Sequence, residues 1–175
     1  RRGHAEVFDQ LNARKRSVAL DLTTPDGVSA LHRLLGRADV VVEASRPRAL
    51  EQMGIDATAL VRTGPRVWVS ITAHGRDAAG RDRVGFGDDV AATGGLVVWD
   101  GEDPCFCADA VADPATGLVA AAAALAALAQ GGRWLVDVAM VGVAAHLTGP
   151  TLPVPAGTVS AARARRPSRG RAAAL

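Results

Sequence analysis

The chain has 175 residues, which is enough for one α/β domain with a sizeable core. Apolar residues make up 49% of it, but aromatic residues only 3% and tyrosine is absent, so the core must be built from small aliphatic side chains. The net charge of the chain is +2, but residues 156–175 contain five arginines and no acid. Residues 1–155 therefore carry a net charge of −3, so the basic character belongs to the last segment and not to the main part of the chain.

Residues 156–175 are rich in Arg, Ala, Pro and Ser. A segment of this composition has little to bury, so we expect a solvated, disordered tail. A patch for nucleic acid or an acidic partner is the alternative, but no aromatic residue is interleaved with the arginines and no nucleic-acid-binding module accompanies them. We therefore expect one domain over residues 1–155, this tail after it, and no nucleic-acid partner.

The remaining bulk features indicate a cytoplasmic protein without a membrane span or a metal site. We find no signal peptide, and the apolar run of residues 117–129 is too short and too rich in alanine to span a membrane. Cys105 and Cys107 would point to opposite faces of an extended segment, so we expect both to be reduced. Without a neighbouring histidine they fall short of a zinc signature.

In chain order, the first predicted elements are a strand, a helix and a second strand. Ser17–Leu22 has the pattern of a short strand. Thr24 is a typical N-cap and Pro25 suits the first helical position, so a helix begins there, and its apolar residues recur at helical spacing almost to Gly36. Ala38–Glu43 is a continuous apolar run, as expected of a buried parallel strand.

The rest of the chain continues the alternation of strands and helices. Residues 47–63 predict two short helical pieces around Gly54, and residues 74–83 predict a polar loop. Further strands are predicted at Arg66–Thr72 and Trp134–Val138, and further helices at Asp88–Leu96, Pro114–Gln130 and Ala139–Leu147. This alternation is typical of an α/β fold with a parallel sheet and flanking helices.

Five segments carry a recognisable set of patterns: FDQLNARKRSVALDLTTPDG (residues 8–27), LLGRADVVVEASRPRALEQMG (34–54), GPRVWVSITAHG (64–75), VGFGDDVAATGGL (84–96) and FCADAVADPATGLVAAAAALAAL (106–128). Their order and spacing resemble the family III CoA-transferases, a family that includes formyl-CoA transferase, carnitine CoA-transferase and the α-methylacyl-CoA racemases. Each segment alone is a weak signal, whereas five in order are fairly specific.

The resemblance implies a Rossmann-like large domain, a smaller second domain and two interlocked subunits. It also implies an aspartate nucleophile that forms a mixed anhydride and then an aspartyl-CoA thioester, and by motif position this residue is Asp113. Parts of the family pattern are missing before residue 8 and after residue 147. We therefore expect a partial large domain over residues 1–155 and no small domain. Such a chain should leave apolar surface uncovered and hide it in a homodimer or against a homologous subunit.

The local sequence gives Asp113 two roles that are compatible with each other. It precedes Pro114, so it is a candidate N-cap of the predicted helix. The positive end of the helix dipole also favours its ionised form, and an ionised carboxylate is a competent nucleophile toward a thioester carbonyl. Asp109 is the nearby rival, although neither a cap nor a proline follows it.

The segment around Phe86 discriminates between reactions within the family. In the racemases a histidine that acts as a base stands near the position of Phe86, and its replacement by an apolar residue disfavours racemisation, which needs two groups to move the α-proton. In several transferases an acid stands at the equivalent of Gly87, where this chain has none. Asp88 and Asp89 follow, and both are typical first-turn helix acids.

Coenzyme A, as the substrate, needs an apolar slot for adenine and cations for its phosphates. The resemblance puts Ala49 and Met53 along the nucleotide and Arg46 near a phosphate. The alternative for Arg46 is a surface residue that precedes Pro47. The glycines near residues 85–95 lack the GxGxxG spacing after a strand, so NAD binding is unsupported.

Three functions remain open from the sequence. The first is transfer of CoA between carboxylic acids, with acyl-CoA and a carboxylic acid as substrates and Asp113 as nucleophile. The second is a non-catalytic fragment or subunit that keeps the fold and pairs with a homologue. An acyl-CoA racemase is the third and is disfavoured by Phe86.

Overall fold

A computed structural model describes residues 5–77, 79–100 and 103–149 of the chain. The predicted tail at residues 156–175 therefore lies outside the described residues. Within them the chain forms helices α1 to α7 and strands β1 to β5. The helices are Ala5–Asn12, Pro25–Arg37, Pro47–Gln52, Ala57–Thr63, Gly87–Thr93, Ala112–Gln130 and Met140–Thr148, and the strands are Val40–Glu43, Val67–Thr72, Val97–Asp100, Asp103–Phe106 and Trp134–Ala139.

The main sheet has the order β1-β2-β5. β1 and β2 are parallel and in register, with Val40 opposite Val67 and Glu43 opposite Ser70. β2 is almost entirely buried, as its position between two strands requires. In β1, by contrast, Val42 is 59% exposed, so the prediction of a fully buried strand was wrong for this residue. The predicted α/β fold with a parallel sheet and flanking helices is confirmed.

The chain divides into two compact units. Among the described residues, the first holds those up to Ser70 together with Ala123–Val136, and the second holds those of Ile71–Ala122 together with those from Asp137 to Gly149. β2, α6 and β5 each pass from one unit into the other.

The first unit has a core of aliphatic residues around one indole ring, Trp68, which is 1% exposed. Leu35 of α2, Leu50 of α3 and Val61 of α4 belong to this core. The Arg133 guanidinium joins the end of α4 to the segment before β5, because its Nη1 donates to the carbonyl oxygens of Val61 and Gly64 at 3.1 and 2.8 Å.

The start of α2 agrees with the sequence prediction. Thr24 is the N-cap, and its hydroxyl oxygen accepts from the Gly27 N–H at 3.1 Å. Pro25 occupies the first helical position, where no N–H is needed. Gly27 packs directly on the carbonyl of Asp21, and any Cβ there would collide with that backbone. The Asp-Leu-Thr-Thr-Pro-Asp-Gly sequence is therefore a capping structure for α2.

The second unit has a smaller core made of Val90, Ala91, Ala112 and Met140. It also contains an antiparallel hairpin of β3 and β4, with Val97 opposite Phe106, that the sequence did not predict. Trp99 and Phe106 on this hairpin are exposed, as are Cys105 and Cys107, which are free thiols.

Two element predictions need correction. Ser17–Leu22 is not a strand: it has no regular structure before a turn at Leu22, and Val18 is 65% exposed. A strand exists only where a neighbour supplies hydrogen bonds, and no strand among the described residues pairs with this segment. The long apolar helix begins at Ala112 rather than at Pro114. Pro114 fits inside the first turn because the first N–H groups of a helix have no intrahelical acceptor.

Helix α6 buries a stripe of small residues and leaves larger ones uncovered. Thr116, Ala120, Ala124 and Ala127 are buried, whereas Leu118 and Leu125 are 75% and 67% exposed. Its 19 residues make it long and apolar enough to cross a membrane by length and composition, unlike the shorter run that the sequence suggested. One such helix is weak evidence, because core helices of water-soluble proteins meet the same criterion.

Candidate active site

The turn that leads into α6 fixes where the candidate nucleophile lies. Ala110 has a left-handed backbone with φ of 46°, which alanine rarely adopts. Its carbonyl oxygen accepts from the Asp113 N–H at 2.9 Å. Asp113 is thus the second residue of the helix rather than its N-cap, and its side chain is exposed. The carboxylate still lies in the first turn, where the positive end of the helix dipole favours negative charge.

Gly87, the first residue of α5, lies directly against this carboxylate. A Cβ on Gly87 would clash with Oδ2 of Asp113 and would lie 2.9 Å from Cβ of Ala110. Real Cβ atoms essentially never approach other heavy atoms this closely. The missing side chain at residue 87 therefore makes room for Asp113, and the side chain of an acid at this position would clash with Asp113 and Ala110.

The two acids after Gly87 have different partners. Oδ1 of Asp88, a half-buried residue, accepts from the Ala110 N–H at 2.7 Å, across 22 residues of chain. Oδ2 of Asp89 accepts from the Phe86 N–H at 3.1 Å and so caps its own helix. The prediction that both are first-turn acids is correct for their position, but it missed the bond from Asp88 to the turn before α6.

The loop after β1 is held by a second carboxylate. Glu43 ends β1, and its Oε2 accepts from the Ser45 N–H at 2.7 Å. Its Oε1 accepts from the hydroxyl of Ser70, the residue opposite it on β2, which is fully buried. The carboxyl ends of parallel strands are where α/β proteins bind ligands. An acid that ends an apolar strand just before a polar loop is the sequence signal that could have revealed this anchor.

The three residues predicted to bind the nucleotide follow that loop. Arg46 is exposed, stands at the N-cap position of α3 and makes no capping hydrogen bond with its side chain. Ala49, in α3, is half-buried, and its N–H donates to the Arg46 carbonyl at 2.8 Å. Met53 is the C-cap of the helix, and its partly buried side chain packs against the core of the first unit. These three residues share one short segment of the first unit, whereas Asp113 belongs to the second unit.

The loop after β2 is ordered by an acid from β5. Asp137 accepts from the Thr72 hydroxyl at 3.2 Å and from the Arg76 N–H at 2.7 Å. The Thr72 hydroxyl oxygen in turn accepts from the Gly75 N–H at 2.9 Å. Within the same loop, burial lowers the pKa of His74 below its ordinary value of 6.5, and the positive charge of Arg83 lowers it further. His74 is therefore predominantly neutral at pH 7.

Among the described residues no group of three or more His, Cys, Asp or Glu side chains is arranged to hold a metal ion. In the second unit, the exposed Asp113 carboxylate lies in the first turn of α6, and the turn before it is held by the carboxylate of Asp88. This set of groups fits acyl transfer to and from a carboxylate.

A sequence profile of CoA-transferase family III matches residues 1–175. The chain belongs to CoA-transferase family III. Succinate–glutarate CoA-transferase of Agrobacterium fabrum is 34% identical over 128 residues, which are 71% of this chain and 32% of that protein. The probable fatty acyl-CoA transferase Rv3272 of Mycobacterium tuberculosis is 35% identical over 152 residues, which are 82% of this chain and 38% of the relative.

Solved structures agree with this membership. The crystal structure of Rv3272 from M. tuberculosis in its orthorhombic form superposes with a TM-score of 0.71 at 35% identity, over 78% of this chain and 41% of that one. A CaiB/BaiF family protein from Brucella suis superposes with a TM-score of 0.69 at 27% identity, over 77% of this chain and 38% of the other. The chain therefore spans about a third of the length of the curated relatives that it matches.

Proposed function

We propose that this family III chain transfers coenzyme A between carboxylic acids through a covalent aspartyl-CoA intermediate on Asp113. A carboxylate oxygen of Asp113 attacks the thioester carbonyl of an acyl-CoA, the C–S bond breaks, and the departure of CoA thiolate leaves a mixed anhydride between Asp113 and the acyl group. The thiolate then attacks the Asp113 carbonyl, which releases the donor acid and leaves an aspartyl-CoA thioester. The acceptor carboxylate repeats the sequence in reverse, so that Asp113 is regenerated and a new acyl-CoA departs.

The observation that carries this proposal is the environment of Asp113. Its carboxylate is exposed, lies in the first turn of a 19-residue helix, and sits over a glycine whose missing side chain leaves space for it. The helix dipole stabilises the ionised carboxylate before attack. Asp109, the rival from the sequence, lies exposed in the turn that precedes α6 and outside the helix.

The same proposal assigns the nucleotide part of CoA to the segment after β1. The exposed Arg46 guanidinium would bind a phosphate, and Ala49 and Met53 would offer apolar contact to adenine. Glu43 would keep the loop in place, since it holds the Ser45 N–H just before Arg46. Because the substrates would be metabolic acids and their CoA esters, we place the reaction in the cytoplasm.

The test of Asp113 separates its role as a nucleophile from its structural role in the first turn of α6. Succinyl-CoA is a suitable donor, because the relatives of this chain include a succinate–glutarate CoA-transferase and a succinyl-CoA–D-citramalate CoA-transferase. Asp113→Ala and Asp113→Asn should each reduce CoA transfer by roughly a thousandfold or more, since neither side chain is a nucleophile. Asp113 is exposed in the first turn of α6 and Asn has nearly the same size and shape as Asp, so Asp113→Asn should keep the fold.

The control is Asp109→Asn, which should retain full transfer and full labelling. Hydroxylamine treatment of the protein after incubation with succinyl-CoA should convert Asp113 to a hydroxamate that mass spectrometry locates. Full activity of Asp113→Asn, or a label on Asp109, would contradict the assignment.

A second candidate is a subunit or fragment that pairs with a homologous chain. It is favoured by one relative, 33% identical, which is a beta subunit of a succinyl-CoA–L-malate CoA-transferase from Chloroflexus aurantiacus. Exposed large apolar residues such as Val42, Leu118 and Leu125 would be covered by a second copy of this chain or by a homologue. Light scattering tests this: a well-folded monomer that binds no hydrophobic dye would contradict it.

A further inference from the structure

The turn before α6 has a strained backbone. Ala110 has a φ of 46°, and the left-handed region is unfavourable for a residue with a Cβ because the Cβ comes too close to a backbone carbonyl oxygen. The turn nevertheless has to keep this shape, because the Ala110 carbonyl accepts from the Asp113 N–H and so sets where the helix and its first carboxylate begin. Strain at such a position persists only where the surroundings fix the backbone.

The group that fixes it is the carboxylate of Asp88. The bond from the Ala110 N–H to Oδ1 of Asp88, at 2.7 Å, is at the short end for an amide donor, as charge-assisted hydrogen bonds are. It joins the first turn of α5 to the turn before α6, although the two residues are 22 positions apart. The residue before Asp88 is Gly87, which lies against the Asp113 carboxylate itself. Gly87 and Asp88, which are consecutive in α5, therefore constrain the Asp113 side chain and the backbone turn before it, respectively.

We infer that Asp88 is a positioning residue: it locks the Ala110 turn so that the Asp113 carboxylate faces a bound thioester in a reactive orientation. This inference rests on the proposed function, because it assigns Asp88 a role in the acylation of Asp113. Asp88 touches neither the substrate nor the reacting atoms in this role. It acts through the Ala110 N–H, so its loss should change the rate of acylation more than the binding of CoA.

The experiment compares Asp88→Ala, Asp88→Asn and the matched control Asp89→Ala in the full chain with succinyl-CoA. Asp89 is the neighbouring acid in the same turn, and its bond stays within its own helix. The single-turnover rate of Asp113 acylation should fall about 100-fold in Asp88→Ala, because small displacements of a reacting group have effects of this size. KM for succinyl-CoA should stay nearly unchanged. Asp88→Asn keeps an acceptor oxygen and should restore part of the rate, and Asp89→Ala should acylate at the wild-type rate.

A second readout needs no activity. The Ala110 amide should exchange slowly with solvent deuterium in the wild type and in Asp88→Asn, and quickly in Asp88→Ala, as measured by residue-resolved NMR. An Ala110 amide that exchanges as fast as open turn amides in the wild type would overturn the inference, even if Asp88→Ala failed to fold. Equal losses of rate in Asp88→Ala and Asp89→Ala would also overturn it. If Asp113→Asn remained active while the Ala110 amide stayed protected, the proposed function would fail and the anchoring bond would stand.

Discussion

The loop after β1 and the turn before α6 are both held by a carboxylate that accepts a backbone N–H at 2.7 Å, but the distances along the chain differ. Glu43 holds Ser45, two residues ahead of it in the first unit. Asp88 holds Ala110, 22 residues ahead of it in the second unit. The first contact can form as soon as the local chain turns. The second exists only when α5 and the turn before α6 are both in place.

This difference predicts different consequences when each anchor is disturbed. The Glu43–Ser45 contact orders its own loop, and the other Glu43 carboxylate oxygen accepts from the buried Ser70 hydroxyl, so both contacts contribute mainly to stability. A long-range anchor sets the position of one element against another, and in the second unit that position includes the candidate nucleophile. Changes near Gly87 and Asp88 should therefore affect chemistry more than stability, and changes near Glu43 should do the opposite.

Among the changes that compare the two regions, the largest effect is expected from Gly87→Ala. The added methyl would clash with the Asp113 carboxylate, which can rotate away, and with the Ala110 Cβ, which cannot. Acylation of Asp113 should fall about 100-fold, because the nucleophile is displaced. Stability should fall by about 1–3 kcal/mol, as overpacking usually costs. Rapid-quench acylation and urea denaturation measure the two quantities.

The control for this variant is Gly117→Ala, in α6. A Cβ at Gly117 meets nothing within 4 Å, so the variant should acylate normally and gain about 0.5–1 kcal/mol from the better helix former. If Gly87→Ala acylates at the wild-type rate, the close approach of Gly87 does not position Asp113.

The next effect is expected at the Glu43 anchor. Glu43→Ala leaves the buried hydroxyl of Ser70 without this acceptor and should lower the free energy of unfolding by about 1–3 kcal/mol. Ser70→Ala and the double variant complete a cycle whose coupling energy should be about 0.5–3 kcal/mol if the two side chains interact directly. Denaturant titrations of the four proteins give this value. Strict additivity would mean that the Glu43–Ser70 contact contributes nothing.

A smaller effect is expected from a purely local device, the cap of α2. Thr24→Ala removes the acceptor of the Gly27 N–H and should cost about 1 kcal/mol of stability. Thr58→Ala is the matched control, because Thr58 is exposed in the first turn of α4 and the cap there is Asp56. Equal melting temperatures for Thr24→Ala and Thr58→Ala would show that the cap does not stabilise α2.

The smallest effect concerns pH and the loop after β2. Burial lowers the pKa of His74 in the folded protein, with a further contribution from Arg83, so the unfolded chain takes up a proton near pH 6.5 more readily than the folded one. The stability that depends on neutral His74 is present above this pH and is lost as the pH falls below it. Between pH about 7.5 and about 5.5 the wild type should lose more stability than His74→Gln, in which nothing titrates at this position. Parallel losses in the two proteins would show that His74 is not involved.

Much of the fold followed from patterns within short stretches of sequence. The apolar runs predicted β1, β2 and β5, and Thr24 with Pro25 marked the start of α2 correctly. The strand at Ser17–Leu22 failed because strand-like composition does not supply a pairing partner. The hairpin of β3 and β4 was missed because each strand has only four residues and because β4, with the sequence DPCF, lacks a strand pattern.

The candidate site divides in the same way. The sequence by itself determined that an aspartate opens a long apolar helix, that an arginine follows a strand end, and that the chain resembles CoA-transferase family III. Such features depend on residues a few positions apart, where helix and strand periodicity and capping act. Only the tertiary structure decided that Gly87 makes room for Asp113, that Asp88 holds Ala110 and that Glu43 bonds to Ser70. These contacts span 22 to 27 residues, and the path of the chain that brings their partners together is set by the packing of whole elements.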